Sequence, residues 1–554
     1  MSPAGRAAQS RVAVLARPAP ASAFVGTGTL LRLALRRDRV RIPVWVVFAG
    51  YLSIAVAQSW DRLYPTVGSR RELATSIAVD PTLSAILGPL FDPLGTGGLT
   101  AWRIGSGTLL AMGLVASFLV VRHSRADEVE GRAELLLGGP VGRAAPLAAA
   151  LATAAVLLLA WGLVTAVLLR AAGLDTGGSV AFGLGQACAG LVLAGFAGVA
   201  TQLARTSRGA NGLAGLAIGL AFLVTATGNA REGGSPLQWL APFGWAQQTR
   251  AYAEERWWLL AVSVAAALVL AAAALHVAAR RDLADGLIAQ RPGRGGAATW
   301  VTGPVALAWR LDRAGLLVWA AGFAVLGAFE GALLTTSVDL VTGNAALLEL
   351  LERLAGGTTD IRDAFLVDMT GLFSLVAAGF GISTALRLRA EEEDGRAETV
   401  LASPRSRVAW LFGHGSSALL GSVLLLVAGG LTLGLVHGAA EGDALAQGLR
   451  ATGASLLGAP AVLLLVGVTL ALIGVRPSWA APVSWVLLVW CVLTGFLGAV
   501  LGLPEWLRQT SPFGHVPLWP AVAMSWTPVV VLTAVAVALV AVGVLALRRR
   551  DMPS

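Results

Sequence analysis

The stretch RADEVEGRAELLLGGPVGR, residues 125–143, is an island of charge in a chain dominated by Ala, Leu, Gly and Val, and it returns as RAEEEDGRAETVLASPRSR at residues 389–407. The copies align without gaps at an offset of 264 and agree at ten of nineteen positions, where chance gives roughly one or two. Identity covers Arg125/Arg389, Glu128/Glu392, Gly131/Gly395, Arg132/Arg396, Glu134/Glu398, Pro140/Pro404 and Arg143/Arg407. Working outward, LRRDRVRIPVW at 35–45 matches WRLDRAGLLVW at 309–319 through Arg36/Arg310, Asp38/Asp312, Arg39/Arg313 and Trp45/Trp319, and PFGW at 242–245 matches PFGH at 512–515. The chain reads as a tandem duplication of one unit.

What the unit is follows from composition. Of 554 residues 56% are hydrophobic and 13% charged, and the mean hydropathy is +0.73, the profile of a polytopic membrane protein. A bilayer core of about 30 Å needs roughly 20 apolar residues as helix. About twelve such runs stand near 42–59, 104–122, 144–170, 178–203, 211–228, 257–278, 314–336, 370–387, 408–436, 451–475, 479–502 and 525–547, which makes six per copy. The arginines cluster in the leader through Arg41, the loops at 122–143, 205–208 and 387–407, the stretch 280–313 and the tail 548–550. By the positive-inside rule both termini and both motif copies face the cytoplasm, and two six-span units share one orientation. The expected organisation is a disordered cytoplasmic tail over 1–28, a first six-span half over 29–278, a cytoplasmic linker over 279–300 and a second half over 301–554. Each half opens with an amphipathic stretch, 30–41 and 305–315, expected to lie along the cytoplasmic interface.

Several classes are excluded. The net charge of +9 invites nucleic acid, but arginines in short clusters between apolar runs serve membrane orientation instead. Cys188 and Cys491 each sit inside an apolar run without a partner at metal-ligand spacing, so they read as small core residues and no metal site is expected. No His-Glu-x-x-His or Gly-x-Ser-x-Gly occurs, and the five histidines are scattered, which leaves no catalytic constellation.

If helix continues through the motif, Asp127, Glu130 and Glu134 share one face at i, i+3 and i+7, and Glu391, Asp394 and Glu398 repeat that spacing. Glu128 with Arg132, and Glu392 with Arg396, then stand at i and i+4 in the favourable order. Ala133, Leu136 and Leu137 mark an apolar side, and Pro140 breaks the helix ahead of the next span. A short helix with three like charges on one face is repelled by anionic headgroups, so the spacing points to a docking surface for a basic cytoplasmic partner.

Glu-x-x-Gly-Arg-x-Glu-Leu-Leu followed by Pro and Arg, between spans two and three of a six-span unit, resembles the permeases of ABC-2-type exporters. The duplicated plan with its Pro-Phe-Gly element before the sixth span is similar to permeases of polyketide-antibiotic exporters, including the tetronasin type of actinobacteria. The resemblance implies an all-α polytopic protein of the bacterial cell membrane, built from two tandem type V exporter-like halves that enclose a path for hydrophobic small molecules. It implies coupling helices at Glu128, Gly131, Arg132, Glu134 and Pro140, and at Glu392, Gly395, Arg396, Glu398 and Pro404, each docking one of two copies of a separate ATPase. In the second copy Thr399 and Val400 replace two leucines, which implies an inequivalent second site. The chain contains no Lys and so no Walker A loop; ATP and Mg²⁺ belong to the partner, and the chain itself is expected to carry no cofactor and no enzymatic site.

The resemblance also places spans two and five of each half on the path. These carry Phe118, Phe222, Phe373 and Trp490, types suited to large apolar ligands. Glu330, late in the seventh span, is a candidate ligand contact. Pro242, Phe243, Gly244 and Trp245, and Pro512, Phe513 and Gly514, are expected in short outer segments at the exit. The competing reading is a proton-coupled major-facilitator transporter, whose loops after spans two and eight carry an Asp-x-x-Gly-Arg pattern. Against it, Ala133 and Ala397 stand where that pattern needs a basic residue, and few acids lie mid-membrane to relay protons.

Overall fold

The computed structural model describes residues 22–78, 81–230, 235–283, 285–288, 296, 299–342, 361–403, 406–496 and 504–550, and among them there is no strand. Among the described residues twelve helices are long and apolar enough to cross a membrane: Arg41–Asp61, Thr96–Val129, Ala145–Ala171, Thr176–Leu203, Ser207–Asn229 and Trp258–Arg280, then Pro304–Thr335, Arg362–Glu393, Arg407–Glu441, Ala444–Val475, Pro477–Gly495 and Trp526–Arg549. All twelve expected runs are there, and the protein is a multi-pass membrane protein. The chain divides into two compact units, Met1–Pro292 and Gly293–Ser554. The expected tail lies, over residues 1–21, outside the described residues.

Span starts follow local chemistry. Asp175 accepts from the Gly178 amide at 2.8 Å, Thr206 from Gly209 at 3.0 Å and Ser406 from Ala409 at 3.1 Å, each satisfying an amide that the helix leaves unpaired. Pro146, Pro460 and Pro477 occupy first turns, where a missing N–H costs nothing.

In the first unit the fourth span is the hub, packed against the second, third, fifth and sixth. It meets the third at Gly162 and Gly183, where a Cβ on either glycine would collide with the other's carbonyl oxygen; close backbone approach of this kind is how helices gain contact in lipid. In the second unit the ninth span packs on the seventh, eighth and tenth, and the tenth on the eleventh and twelfth.

The two amphipathic openings differ. In the first unit a separate helix, Thr27–Arg37, precedes the first span and buries Ala34 against the third. In the second unit the expected interfacial segment does not form: 305–315 is the beginning of one unbroken helix, Pro304–Thr342. The physical reason is Pro43, whose ring cannot follow the Arg39 carbonyl in a continuous helix; the position equivalent to it, Leu317, carries no such restriction. The tenth span shows the reverse asymmetry. It is jointed at Gly458 between Ala444–Leu457 and Ala459–Val475, with Pro460 removing a helical donor.

Candidate functional site

The buried groups at the arginine-rich end of each unit begin with the aspartate of the opening landmark. Asp38, fully enclosed, binds His123 Nε2, Arg122 Nη1 at 3.0 Å and Arg41 Nη1 at 3.5 Å. Its counterpart Asp312 binds Arg387 and receives His414 Nδ1 at 2.7 Å, while His414 Nε2 reaches Glu391 Oε1 at 3.0 Å. Arg387 occupies the position equivalent to His123, so the same aspartate takes a donor from the same place in the second span of each unit. A buried carboxylate needs such partners to stay charged.

The motif that follows does not continue as one helix. The second span loosens into a π-helical turn, Arg122–Ala126, and ends at Val129; Gly131 then takes φ +73°, and a new short helix runs Arg132–Leu137. The second copy repeats this with Gly395 at φ +70° between Arg387–Glu393 and Arg396–Leu401. The left-handed conformation is nearly free for Gly and costs other residues about 1–2 kcal/mol, which accounts for the identical glycine. The break overturns the expected three-acid face, because the two segments point differently. It overturns the expected i, i+4 pairs as well.

The acids instead sort into two sets. Asp127 is buried and binds Arg37 Nη1 at 3.3 Å and Arg132 Nη2 at 2.6 Å; the bond to Asp127 pushes the Arg132 guanidinium above its ordinary range, against the opposing effect of burial and with Glu130 adding to the rise. Glu128 turns inward. Its Oε2 accepts from Arg125 Nη1 at 2.7 Å, and both its oxygens accept from Arg281 Nη2 at 2.9 Å. Arg125 is 0% exposed and also donates to the carbonyls of Thr201 and Asp285, so one guanidinium ties the motif to the end of the fourth span. In the second unit Glu392 accepts from Arg550 Nη2 at 2.6 Å, and Arg407 donates to the Arg550 carbonyl. Arg281 and Arg550 are each the residue that caps the C-terminus of the sixth span of its unit. The motif glutamate therefore clasps that span twice over.

The remaining set faces solvent: Glu130 and Glu134 with Leu135 in the first copy, Asp394, Arg396 and Glu398 with Thr399 in the second. Arg132 pairs with Glu130 and Arg396 with Asp394 at 2.6 Å. The first short helix stops at Leu137, ahead of Pro140, which is exposed; Pro404 lies outside the described residues.

Over 538 residues, 97% of each chain, the sequence is 38% identical to the multidrug efflux system permease protein Rv1217c of Mycobacterium tuberculosis (strain ATCC 25618 / H37Rv). The chain belongs to the multidrug efflux system permeases. Residues 301–548 also match the family model described as the C-terminal domain of the multidrug efflux system permease Rv1217c. It is a transport protein of the bacterial cell membrane.

In this permease the expected path residues are scattered in environment. Phe373 is fully enclosed and packs on Phe323 with ring centroids 6.0 Å apart. Phe222 meets Phe243 of the Pro-Phe-Gly element edge to face at 5.5 Å, so a path candidate and an exit candidate form one cluster. Trp490 is partly exposed and donates to Thr510 Oγ1 at 2.9 Å; Phe118 is 52% exposed on the outside of its helix. Glu330 is buried, one turn before Leu334, which lines a polar pocket with Arg362, Asp363, His437, Glu441 and Arg450. Pro242, Gly244 and Trp245 lie in the helix Pro242–Gln248, with Trp245 Nε1 donating to the Trp239 carbonyl at 2.7 Å. Pro512, Phe513 and Gly514 form a 3-10 turn, Phe513 resting on the second unit's core.

Sequence reasoning missed a polar cluster beneath the first Pro-Phe-Gly element. Gln247 donates to Ser106 Oγ at 2.9 Å and accepts from Asn229 Nδ2 at 2.9 Å, beside a small cavity lined also by Gln186, Asp92 and Arg250. Polar side chains deep in apolar helices were the available signal. Arg281, Arg550 and His414 were missed too, and only distance in sequence hid them.

Proposed function

We propose that this permease is the membrane subunit of an ATP-driven exporter of the ABC-2 type, moving hydrophobic drugs or polyketide antibiotics outward, with two copies of a separate ATPase docked on its two motif elements at the cytoplasmic face. The observation that carries the reading is the sorting of the motif. In both copies one glutamate is spent inside the unit on the sixth span, while Glu134 and Glu398 stay exposed at the same place on a short helix beyond a glycine joint. A side chain kept outside an internal clasp, at a repeated position, suits a partner surface. The absence of Lys from the chain removes a Walker A site, so hydrolysis with ATP and Mg²⁺ falls to the partner. The substrate contacts in this reading are Phe222 with Phe243, and Glu330.

The test is transport in proteoliposomes with and without the ATPase that co-purifies from the native membrane. The reading expects drug movement only with that subunit and ATP, and its loss in E134K/E398K together with loss of ATPase retention. Transport by the chain alone down an imposed proton gradient would replace it with the major-facilitator reading.

A further inference from the structure

A second surface at the arginine-rich end of the first unit includes none of the docking residues and neither Phe222, Phe243 nor Glu330, although Phe118, a path candidate from the sequence, lines it. Between the start of the first span, the end of the second and the third lies a groove of about 140 Å³, lined by Arg41, Ile42, Trp45, Val115, Phe118, Leu119, Arg122 and Leu157. Its walls are apolar and open outward: Trp45 and Phe118 are both large, exposed aromatics on helices long enough to span the bilayer. Only its mouth is charged, and no lining residue is acidic.

The charge at the mouth is unbalanced. Arg41 and Arg122 both approach the same oxygen of Asp38, at 3.5 and 3.0 Å, and Asp38 also binds His123. One carboxylate thus serves two guanidiniums. Asp127, five residues after Arg122, is itself taken by Arg37 and Arg132. Because both guanidiniums reach one atom, they stand close enough for a single phosphate to touch both. Arg41 keeps most of its side chain in the open, at 61%, and Arg122 keeps 31% of its own, so donors remain to be used.

We propose that this groove seats an anionic phospholipid, its phosphate between Arg41 and Arg122 and an acyl chain along Trp45 and Phe118. Basic residues where helices meet the interface, above an apolar slot, recognise acidic headgroups, each Arg contributing about fivefold in affinity. A free phosphate gains nothing from the apolar wall, which favours the lipid as the source of the anion. The second unit provides an internal contrast. The positions equivalent to Arg41 and Arg122 are Gly315 and Leu386, so the aromatic Trp319 is retained there without that charge pair.

The test uses the full chain in phosphatidylcholine nanodiscs with trace photoactivatable phosphatidylglycerol or phosphatidylcholine, mapping crosslinks to peptides holding 41–45 and 115–122. Phosphatidylglycerol should label these peptides well above phosphatidylcholine and above the peptide holding Trp319. Labelling should fall about fivefold in R41Q and about 25-fold in R41Q/R122Q. R41Q changes an exposed side chain, so it decides the matter even where the double variant unfolds. Equal labelling by the two lipids, unchanged labelling in R41Q, displacement by millimolar glycerol phosphate, or displacement by an exported drug would each overturn the assignment.

Discussion

Substituting Glu128 by Gln tests whether the motif is an internal clasp in the first place. The carboxylate holds two guanidiniums, Arg125 at 2.7 Å and Arg281 at 2.9 Å, whose side chains are 0% and 7% exposed. Gln keeps the shape and removes the charge. Arg125 is then left with the carbonyls of Thr201 and Asp285, and Arg281 with Gln202 Oε1 at 3.1 Å, all neutral acceptors, while the two cations face each other across a single amide. Removing one partner of a buried ion pair costs about 3–5 kcal/mol, and E128Q belongs at the upper end because two cations lose the same anion. E134Q, on the exposed helix beyond Gly131, should stay within about 0.5 kcal/mol of the parent. Denaturant unfolding of the detergent-purified chain reads both. R281Q closes a double-mutant cycle, and residues in one charge network couple by about 0.5–3 kcal/mol. A stability for E128Q equal to that of E134Q, or a coupling below about 0.5 kcal/mol, refutes the clasp.

The joint glycines give a second expectation: G131A and G395A should each lose about 1–2 kcal/mol in the same unfolding assay, since Ala must adopt φ near +70°. H414A removes the donor shared by Asp312 and Glu391 and should cost about 2–4 kcal/mol, as two carboxylates lose a buried partner; wild-type stability would show that Arg387 alone satisfies Asp312. Tyr252, outside the spans, is pushed up to about 12 by burial, with a weaker opposing hydrogen bond from Ser179. Its folded pKa lies above its unfolded one, so its contribution is complete below pH 10 and is lost as pH rises toward 12. Burial also raises Tyr64, so ultraviolet titration of the chain's three tyrosines should show two ionising late with Tyr252 the last, and Y252F should abolish that last step.

Apolar runs and the duplication were legible because both are local statistics, and the twelve spans follow from them. What periodicity cannot see is a partner far along the chain. Spacing assigns Glu128 to Arg132, yet its cations are Arg125, three residues back, and Arg281, 153 residues on; Arg132 turns to Asp127 and Glu130 instead. The cause of the error is the positive φ at Gly131, whose signal was present as a glycine kept in both copies. Pro43 and Pro460 likewise announced breaks, but whether a span stops or merely bends there depends on what packs against it. The path aromatics were the least legible, since Phe373 in a core and Phe118 on an outer face look alike as letters in an apolar run.

The clasp also bears on how a docking event would reach the membrane. The helix Arg132–Leu137 lies between Gly131 and Gly138, and Arg132 is held by Asp127 and Asp127 by Arg37 on the opening helix. Glu128, one residue further along, is held by Arg281 at the end of the sixth span, and Arg125 by Thr201 at the end of the fourth. Displacing the exposed helix therefore loads the opening helix and two spans through charged contacts that resist stretching far more than apolar packing resists sliding. R281Q cuts one of these connections while leaving Glu134 and its neighbours untouched at the surface. In the exporter reading it should retain the ATPase at wild-type stoichiometry and lower ATP-driven drug transport per assembled complex about tenfold, the loss expected when about 1.4 kcal/mol of coupling is removed. Unchanged transport would mean that the sixth span is not driven through Glu128, and loss of the ATPase would mean that the clasp shapes the docking surface instead of transmitting from it.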